Sequence, residues 1–298
     1  MGTKIEMVST VPLPGIKTIR GTLWLSKKAA KLCLAEAGID PKELELIIFA
    51  GMYRDKHIGE PSIASLLQKE IGANPHLFPL DKRTFSFDVN TGGCGILNAI
   101  EIMDGFITTG QLSTGMIITG DSEPFKGLSE SYNFIPSASA LILSKSEGNE
   151  DFKMIRNFSY PQYLNSFRSY ISWKKRIGRR KNRNILVLEQ SNTYLQECVD
   201  CSIESLHSFL NEAGLSIQDI DFLIPSQSPA GFPAELEMAL DNSVNVIKTN
   251  GNRGELHTSG PSVALKRIFQ EKEYINAKNI LFLTVGAGIN NVIAWYGK

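Results

Sequence analysis

Short apolar runs alternate along the chain with longer stretches of helical periodicity. The runs predict buried strands, and the periodic stretches, which tend to end at a glycine, predict helices. In the N-terminal half the predicted strands are Lys4–Val11, Leu44–Ala50, Phe85–Val89, Met116–Gly120 and Ser139–Ser144, and the predicted helices are Leu23–Ala37, Pro61–Ile71 and Ile96–Thr109. Strands that alternate with helices in this way indicate an α/β fold around a buried sheet.

A helix–linker–strand pattern occurs twice in the chain. The stretch Leu34–Ile48 reappears as Leu210–Ile224 at a constant offset, and each copy has a helix ending in Glu-Ala-Gly followed by a buried strand. We therefore predict two duplicated halves packed as a pseudo-dimer, an N-terminal half at residues 1–150 and a C-terminal half at residues 151–298.

A second internal match concerns the turns that precede two predicted helices. The turn and helix at Cys94 have a counterpart at Leu256–Ile268, which contains His257. Duplication places the starts of equivalent helices near the pseudo-twofold axis. We therefore expect Cys94 and His257 to meet, although they are far apart in the sequence.

Cys94 lies where a predicted strand ends and a buried helix begins. Two glycines precede it and permit a sharp turn. Backbone N–H groups and the helix dipole at such a position favour a thiolate, the reactive form of cysteine. The alternative is that Cys94 is a small apolar core residue, as buried cysteines usually are.

Composition and charge exclude several classes of function. Lysine plus arginine and aspartate plus glutamate both number 31, so no overall field selects nucleic acid. Four cysteines are too few for a disulfide framework in a chain of 298 residues. The sequence after Met1 has no signal pattern, and no apolar run approaches the ~20 residues of a membrane span. We expect a cytoplasmic protein with no nucleic-acid or membrane partner.

Two further patterns have more than one interpretation. The basic stretch Arg168–Arg183 is either a solvated linker or a docking surface for phosphate or an acidic carrier protein. Cys198 and Cys201 form a C-x-x-C pattern within the predicted helix Gln190–Leu210, and without a second pair we interpret them as core residues and predict no metal site. His76 and His207 have no suitable partners in the sequence and are interpreted as structural.

The order and spacing of several short motifs resemble the thiolase fold, specifically the ketoacyl-ACP synthase III group within the chalcone/stilbene synthase and ketoacyl synthase superfamily. The motifs are Glu36–Gly38, Pro61-Ser62, Asp88-Val89 with Cys94, Thr258-Ser259 with Ser262-Val263, and Gly286–Gly288. The resemblance implies a five-layered αβαβα sandwich, usually a homodimer. It also implies an acyl-CoA or acyl-carrier-protein thioester as substrate, with no permanently bound cofactor.

The resemblance assigns roles to individual residues and shows a variant Cys–His site. Cys94 would attack the thioester carbonyl, and His257 would form an ion pair with the thiolate or shuttle its proton. The backbone N–H groups of Cys94 and Gly288 would form the oxyanion hole. Ser226 stands where the family's Pro-His-Gln turn has its histidine, and His257 stands where the family has asparagine. The N-terminal segment is also shorter than in the family, which implies a reduced wall for the pantetheine channel.

Glu60 occupies a position where the family has an aromatic residue that reaches across the dimer. Related long-chain condensing enzymes deliver a catalytic glutamate across the interface from about this loop. The alternative is a carboxylate at a helix N-terminus, where the dipole favours it.

Together these features predict an acyltransferase or condensing enzyme of the 3-oxoacyl-ACP synthase III type in fatty-acid, polyketide or secondary-metabolite synthesis. The missing histidine donor at Ser226 argues for acyl transfer or an unusual condensation, because it should weaken malonyl decarboxylation. The alternative is a catalytically weakened partner subunit that forms a heteromer with a homologous synthase.

Overall fold

A computed structural model of the chain describes residues 2–11, 20–74, 83–174, 183–249, 254–270 and 272–298. The strands are β1 Gly2–Val11, β2 Leu46–Phe49, β3 Phe85–Asp88, β4 Thr114–Asp121, β5 Ser129–Glu130, β6 Ser137–Ser146, β7 Asp151–Tyr163, β8 Phe167–Lys174, β9 Arg183–Gln190, β10 Phe222–Pro225, β11 Asn279–Gly286 and β12 Gly288–Gly297. The α-helices are α1 Thr22–Ala37, α2 Ile63–Ile71, α3 Gly95–Thr108, α4 Tyr194–Ala213, α5 Phe232–Ala239, α6 Gly260–Ile268 and α7 Lys272–Asn276.

Two mixed sheets carry the fold. The first has the strand order β1-β6-β4-β2-β3, with β2 parallel to both of its neighbours. The second has the order β10-β11-β12-β7, with β10 parallel to β11 and the other pairs antiparallel. A small third sheet, β5-β9-β8, lies beside them.

Helices cover both sheets on both faces, which gives five layers. Helices α1 and α2 pack on the outer face of the first sheet, and α4 and α5 pack on the outer face of the second. Helices α3 and α6 share one apolar core with the inner faces of both sheets. The α/β thiolase-like sandwich expected from the resemblance is therefore confirmed.

The internal repeat is visible in the backbone. Helices α1 and α4 both end at a glycine in the left-handed region, Gly38 at φ 68° and Gly214 at φ 67°. Each glycine is followed by a capping box, a 3-10 turn and a buried parallel strand, β2 or β10. All strands of the first sheet precede residue 147 and all strands of the second follow residue 150. The domain boundary itself stays a prediction.

Two sequence-based interpretations need correction. Phe85–Val89 was predicted as a buried strand; Phe87 and Val89 do pack against the core, but Phe85, at the start of this edge strand, is 61% exposed. The described part of the basic stretch is a β8–β9 hairpin and not a linker, because both strands pair along their length.

Some expectations fall on residues outside the described ranges. Residues 175–182, which hold most of the basic residues of the stretch Arg168–Arg183, and His76 lie there. Among the described residues, we find no helix long and apolar enough to cross a bilayer.

Candidate active site

Cys94 ends a short 3-10 turn, Gly92–Cys94, and is the residue before helix α3. Gly92 has a φ of 56°, which side chains rarely adopt. A Cβ on Gly93 would lie 2.1 Å from the carbonyl oxygen of Val285, so only glycine allows this close approach to β11. The glycines before Cys94 therefore bring the cysteine from the N-terminal half against the C-terminal half.

The Cys94 thiol is buried and neutral. Its side chain is 2% exposed, and Sγ donates to the carbonyl oxygens of Asn290 at 3.2 Å and Thr284 at 3.6 Å. Burial raises the pKa of the Cys94 thiol to about 12, although hydrogen bonds with the Thr284 side chain and the Val292 backbone oppose the shift. This direction opposes our expectation of a resting thiolate at the helix terminus, because the loss of solvent penalises the charged form.

His257 lies on a segment that pairs with the loop before β6. The backbone N–H of Ile135 donates to the carbonyl oxygen of Glu255 at 2.8 Å, and this pairing leads directly to the histidine. The imidazole packs against the rings of Phe134 and Tyr53, with centroid distances of 4.6 and 5.2 Å. These contacts fix the ring from two sides.

Asp121, at the end of β4, holds His257 from a third side. Its Oδ2 lies 3.2 Å from Nδ1 of His257 and accepts from the N–H and hydroxyl of Thr258 at 3.0 and 2.5 Å. Its Oδ1 accepts from the N–H groups of Met52 and Tyr53 at 2.9 and 2.7 Å. The carboxylate is 1% exposed, so every one of these contacts lies in the interior.

The Asp121 carboxylate is ionised in this setting. Burial alone would raise the pKa of Asp121, but the attraction of His257 and the donors from His257, Thr258 and Tyr53 outweigh it. The pKa of Asp121 therefore lies below its ordinary value. The sequence analysis did not identify Asp121 as a site residue. Its position directly after a buried strand could have indicated one, because sites in α/β sheets tend to form at the ends of strands.

Ser226, at the end of β10, is buried on the same wall as Cys94. Its Oγ accepts from the backbone N–H of Val285 at 2.9 Å, and the side chain is 4% exposed. The hydroxyl therefore joins β10 to β11 behind the glycine turn. A single hydroxyl here is smaller than the imidazole expected from the family.

One cavity of about 860 Å³ joins these residues. Cys94, Ser226 and His257 all line it, so the two halves contribute to one site. The cavity is also lined by Tyr53, Asn133, Phe134, Glu189, Ser228, Glu255, Gly286, Ala287 and Asn290. Glu255 was also missed; its carboxylate accepts from Ser228 Oγ at 2.8 Å and from Asn133 Nδ2 at 3.3 Å.

The glycine turn meets Cys94 at a different residue from the one expected. A Cβ on Gly286 would lie 3.1 Å from Cys94 Sγ, and Gly286 and Ala287 line the cavity. Gly288 is not among its described lining residues. The N–H of Cys94 donates to the carbonyl oxygen of Thr91 at 3.2 Å. The oxyanion role of Cys94 and Gly288 stays a prediction, with Ala287 the nearer alternative to Gly288.

Glu60 lies away from this cavity within the protomer. It is exposed and precedes α2, but the N-terminal N–H groups of that helix, on Ile63 and Ala64, donate to Asp88 at 2.9 and 2.8 Å. Arg54 also bonds this carboxylate at 2.9 Å. Asp88 therefore fills the helix-terminus role considered for Glu60, and a catalytic role for Glu60 stays a prediction that requires a second subunit.

The remaining cysteines are structural. Cys198 and Cys201 are buried in the core between α4 and the second sheet, as expected. Burial raises the pKa of Cys198 to about 12, so it is also a neutral thiol.

Comparison with known proteins relates the chain to one group of enzymes. No protein-family model matches it. β-Ketoacyl-ACP synthase III of Aquifex aeolicus is 24% identical over 275 residues, covering 89% of this chain and 81% of that protein. The Acholeplasma laidlawii synthase III is 26% identical over 269 residues, covering 89% and 79%.

Solved structures give the same relation. The structure of 3-oxoacyl-ACP synthase III from A. aeolicus superposes with a TM-score of 0.80 at 19% identity and covers all of both chains. A structure of a variant of Xanthomonas campestris OleA with bound lauric acid and lauroyl-CoA has a TM-score of 0.77 at 16% identity, covering 100% of this chain and 99% of that one. The thiolase-like fold inferred from the motifs is therefore confirmed, and the chain is similar along most of its length to β-ketoacyl-ACP synthase III.

Proposed function

We propose that the protein is an acyltransferase of the 3-oxoacyl-ACP synthase III type, with Cys94 as the acyl carrier. The observation that carries the proposal is the single cavity lined by Cys94 and His257, which come from opposite halves of the duplicated fold. The names of the similar proteins, and the acyl-CoA bound to one of them, support an acyl thioester as the donor.

The resting thiol determines how the reaction must begin. Because the pKa of Cys94 is raised to about 12, a base has to take the proton as sulfur attacks the thioester carbonyl. His257 is the imidazole on the same cavity, so we assign it this shuttle role rather than a standing ion pair. Developing charge on the carbonyl oxygen requires backbone N–H donors, and we assign this role to Cys94 and the glycine turn.

The test is acyl loading followed by intact-mass measurement. Incubation with acyl-CoA or acyl carrier protein should add one acyl mass, and Cys94→Ala should abolish the adduct because the nucleophile is lost. Cys198→Ala is the matched control, since this buried thiol lies in the outer core. An adduct that survives Cys94→Ala would contradict the assignment.

The second candidate is a weakened partner subunit in a heteromer. The serine at position 226, in place of the family's histidine, favours it. Failure of the wild-type protein to load any acyl group, together with a gain in activity of a co-purified homologous synthase, would favour this candidate.

A further inference from the structure

The contact between Asp121 and His257 determines which ring nitrogen can act in the cavity. An ionised carboxylate only accepts hydrogen bonds. Nδ1 of His257, 3.2 Å from Oδ2 of Asp121, must therefore carry a proton. In the neutral ring the lone pair is then on Nε2, which is the nitrogen that can accept a proton.

Asp121 is built to hold this state. Its two oxygens accept from the backbone N–H groups of Met52, Tyr53 and Thr258, so the carboxylate cannot turn away from the histidine. The rings of Phe134 and Tyr53 limit rotation of the imidazole. Such an arrangement suits general-base catalysis, in which one group repeatedly takes and returns a proton.

The charge of the cavity wall argues against a malonyl acceptor. Glu255 and Glu189 line the cavity, and the lining residues that the structure describes include no lysine or arginine. Glu255 is fixed by Ser228 and Asn133 on the same wall. The carboxylate of a malonyl thioester would be repelled there, whereas a neutral or cationic acceptor would not.

We propose that Asp121 is a positioning residue that makes His257 a general base for an acceptor carrying an O–H or N–H nucleophile. This proposal rests on the proposed function, because it requires an acyl group on Cys94. In the second step of the reaction, the acyl group on Cys94 is then transferred to an oxygen or nitrogen nucleophile and not to the carbon of a decarboxylating malonyl thioester.

The two half-reactions balance without any further reagent. In the first, the bond from Cys94 Sγ to the acyl carbon forms and the donor C–S bond breaks, while the Sγ proton passes through Nε2 of His257 to the departing thiolate. In the second, the acceptor oxygen or nitrogen bonds to the acyl carbon, its proton moves to Nε2, and the departing Cys94 sulfur takes that proton. No carbon dioxide is released.

The test separates loading from transfer in the full-length protein. Cys94 is loaded from octanoyl-CoA, the excess is removed, and decay of the acyl-enzyme is followed by mass after ethanolamine is added. Ethanolamine offers its hydroxyl while the amine is protonated and cationic, and its amine when the amine is neutral. Asp121→Asn should slow this transfer by about 100-fold. His257→Gln, which should also slow loading, should slow transfer at least as much once it has been loaded to the same extent by longer incubation. Thr258→Val removes one donor to the same Asp121 oxygen but leaves the histidine contact, so its effect should stay below about ten-fold.

A second measurement needs no change at Asp121. The chain has four histidines, so nitrogen NMR of histidine-labelled protein can resolve the ring of His257, assigned by its loss in His257→Gln. The neutral ring should be the Nδ1–H tautomer.

The outcomes distinguish this inference from the proposed function. A wild-type protein that never loads Cys94 overturns both. Normal loading with an Nε2–H tautomer, or with Asp121→Asn as fast as Thr258→Val, overturns the role of Asp121 alone. Transfer to malonyl-CoA with release of carbon dioxide, and none to ethanolamine, overturns the acceptor class while leaving the acyl carrier on Cys94 in place.

Discussion

At the scale of single residues, Cys94 and His257 divide the work of making a nucleophile. The thiol has no charged partner in its immediate contacts, which are the carbonyl oxygens of Thr284 and Asn290. Burial away from solvent penalises the charged thiolate and therefore favours the protonated form. Reactivity therefore arises when substrate and base act together.

Alkylation of the free enzyme tests this resting state. The pKa of Cys94 is raised from 9.0 to about 12, so its thiolate fraction at pH 8 should be about a thousand-fold below that of an ordinary cysteine. Its reaction with iodoacetamide should therefore be slow and should rise with pH up to about 12. Peptide mapping assigns the adduct, and Cys94→Ser gives the background from other thiols. A plateau near pH 7 would show a thiolate–imidazolium pair instead.

Ser226 offers a gain-of-function test at the same scale. Ser226→His places an imidazole donor on the wall of a cavity of about 860 Å³. Release of carbon dioxide from malonyl thioesters should rise about ten-fold or more, because one added donor stabilises the developing oxyanion. Ser226→Phe has a similar ring without the donor and should give no increase. Rapid decarboxylation by the unaltered protein would contradict our account of this position.

At the scale of elements, local signals predicted more than long-range ones. The helices ending at Gly38 and Gly214 and the strands after them follow from periodicity and caps, which the neighbouring residues alone decide. The exposure of Phe85 was not predictable, because an alternating pattern marks the two faces of a strand but does not show how far along the strand a face is covered. The Asp121–His257 contact joins residues 136 positions apart, and only the repeat placed Cys94 and His257 together beforehand.

The turn before α3 gives a prediction at this scale. Gly93→Ala should destabilise the fold by about 1–3 kcal/mol, because its Cβ would lie 2.1 Å from the carbonyl oxygen of Val285. It should also reduce acyl loading, since the turn positions Cys94. Gly105→Ala in α3 is the matched control: nothing lies within 4 Å of its Cβ, and alanine favours a helix. Urea unfolding measures both, and equal stability of the two variants would refute the argument.

At the scale of the whole molecule, the free edge of β3 supports the predicted dimer. Among the described strands β3 pairs only with β2, and the exposed Phe85 packs against Phe87 at a centroid distance of 5.2 Å. An apolar strand edge of this kind favours pairing with another chain. Glu60 precedes α2, and the first N–H groups of that helix donate to Asp88 on the same strand. A catalytic role for the Glu60 carboxylate would need a partner subunit at this edge.

Light scattering tests the assembly. The protein should have about twice its chain mass of 32.9 kDa, and Phe85→Lys should shift it toward the monomer because a charge on the edge strand opposes pairing. Ile275→Lys is the control, since Ile275 is 77% exposed on the distant helix α7. A wild-type monomer at micromolar concentration would remove the basis for a cross-subunit glutamate.

The neutral, enclosed thiol of Cys94 also has a consequence for survival of the enzyme between turnovers. Peroxide attacks thiolates that solvent can reach, and oxidation beyond the sulfenic acid is largely irreversible. A sulfur that is 2% exposed and protonated meets neither condition. Without substrate, the protein therefore keeps Cys94 in its reduced form. The oxidisable thiolate forms only when an acyl donor already fills the cavity and shields the sulfur from solvent.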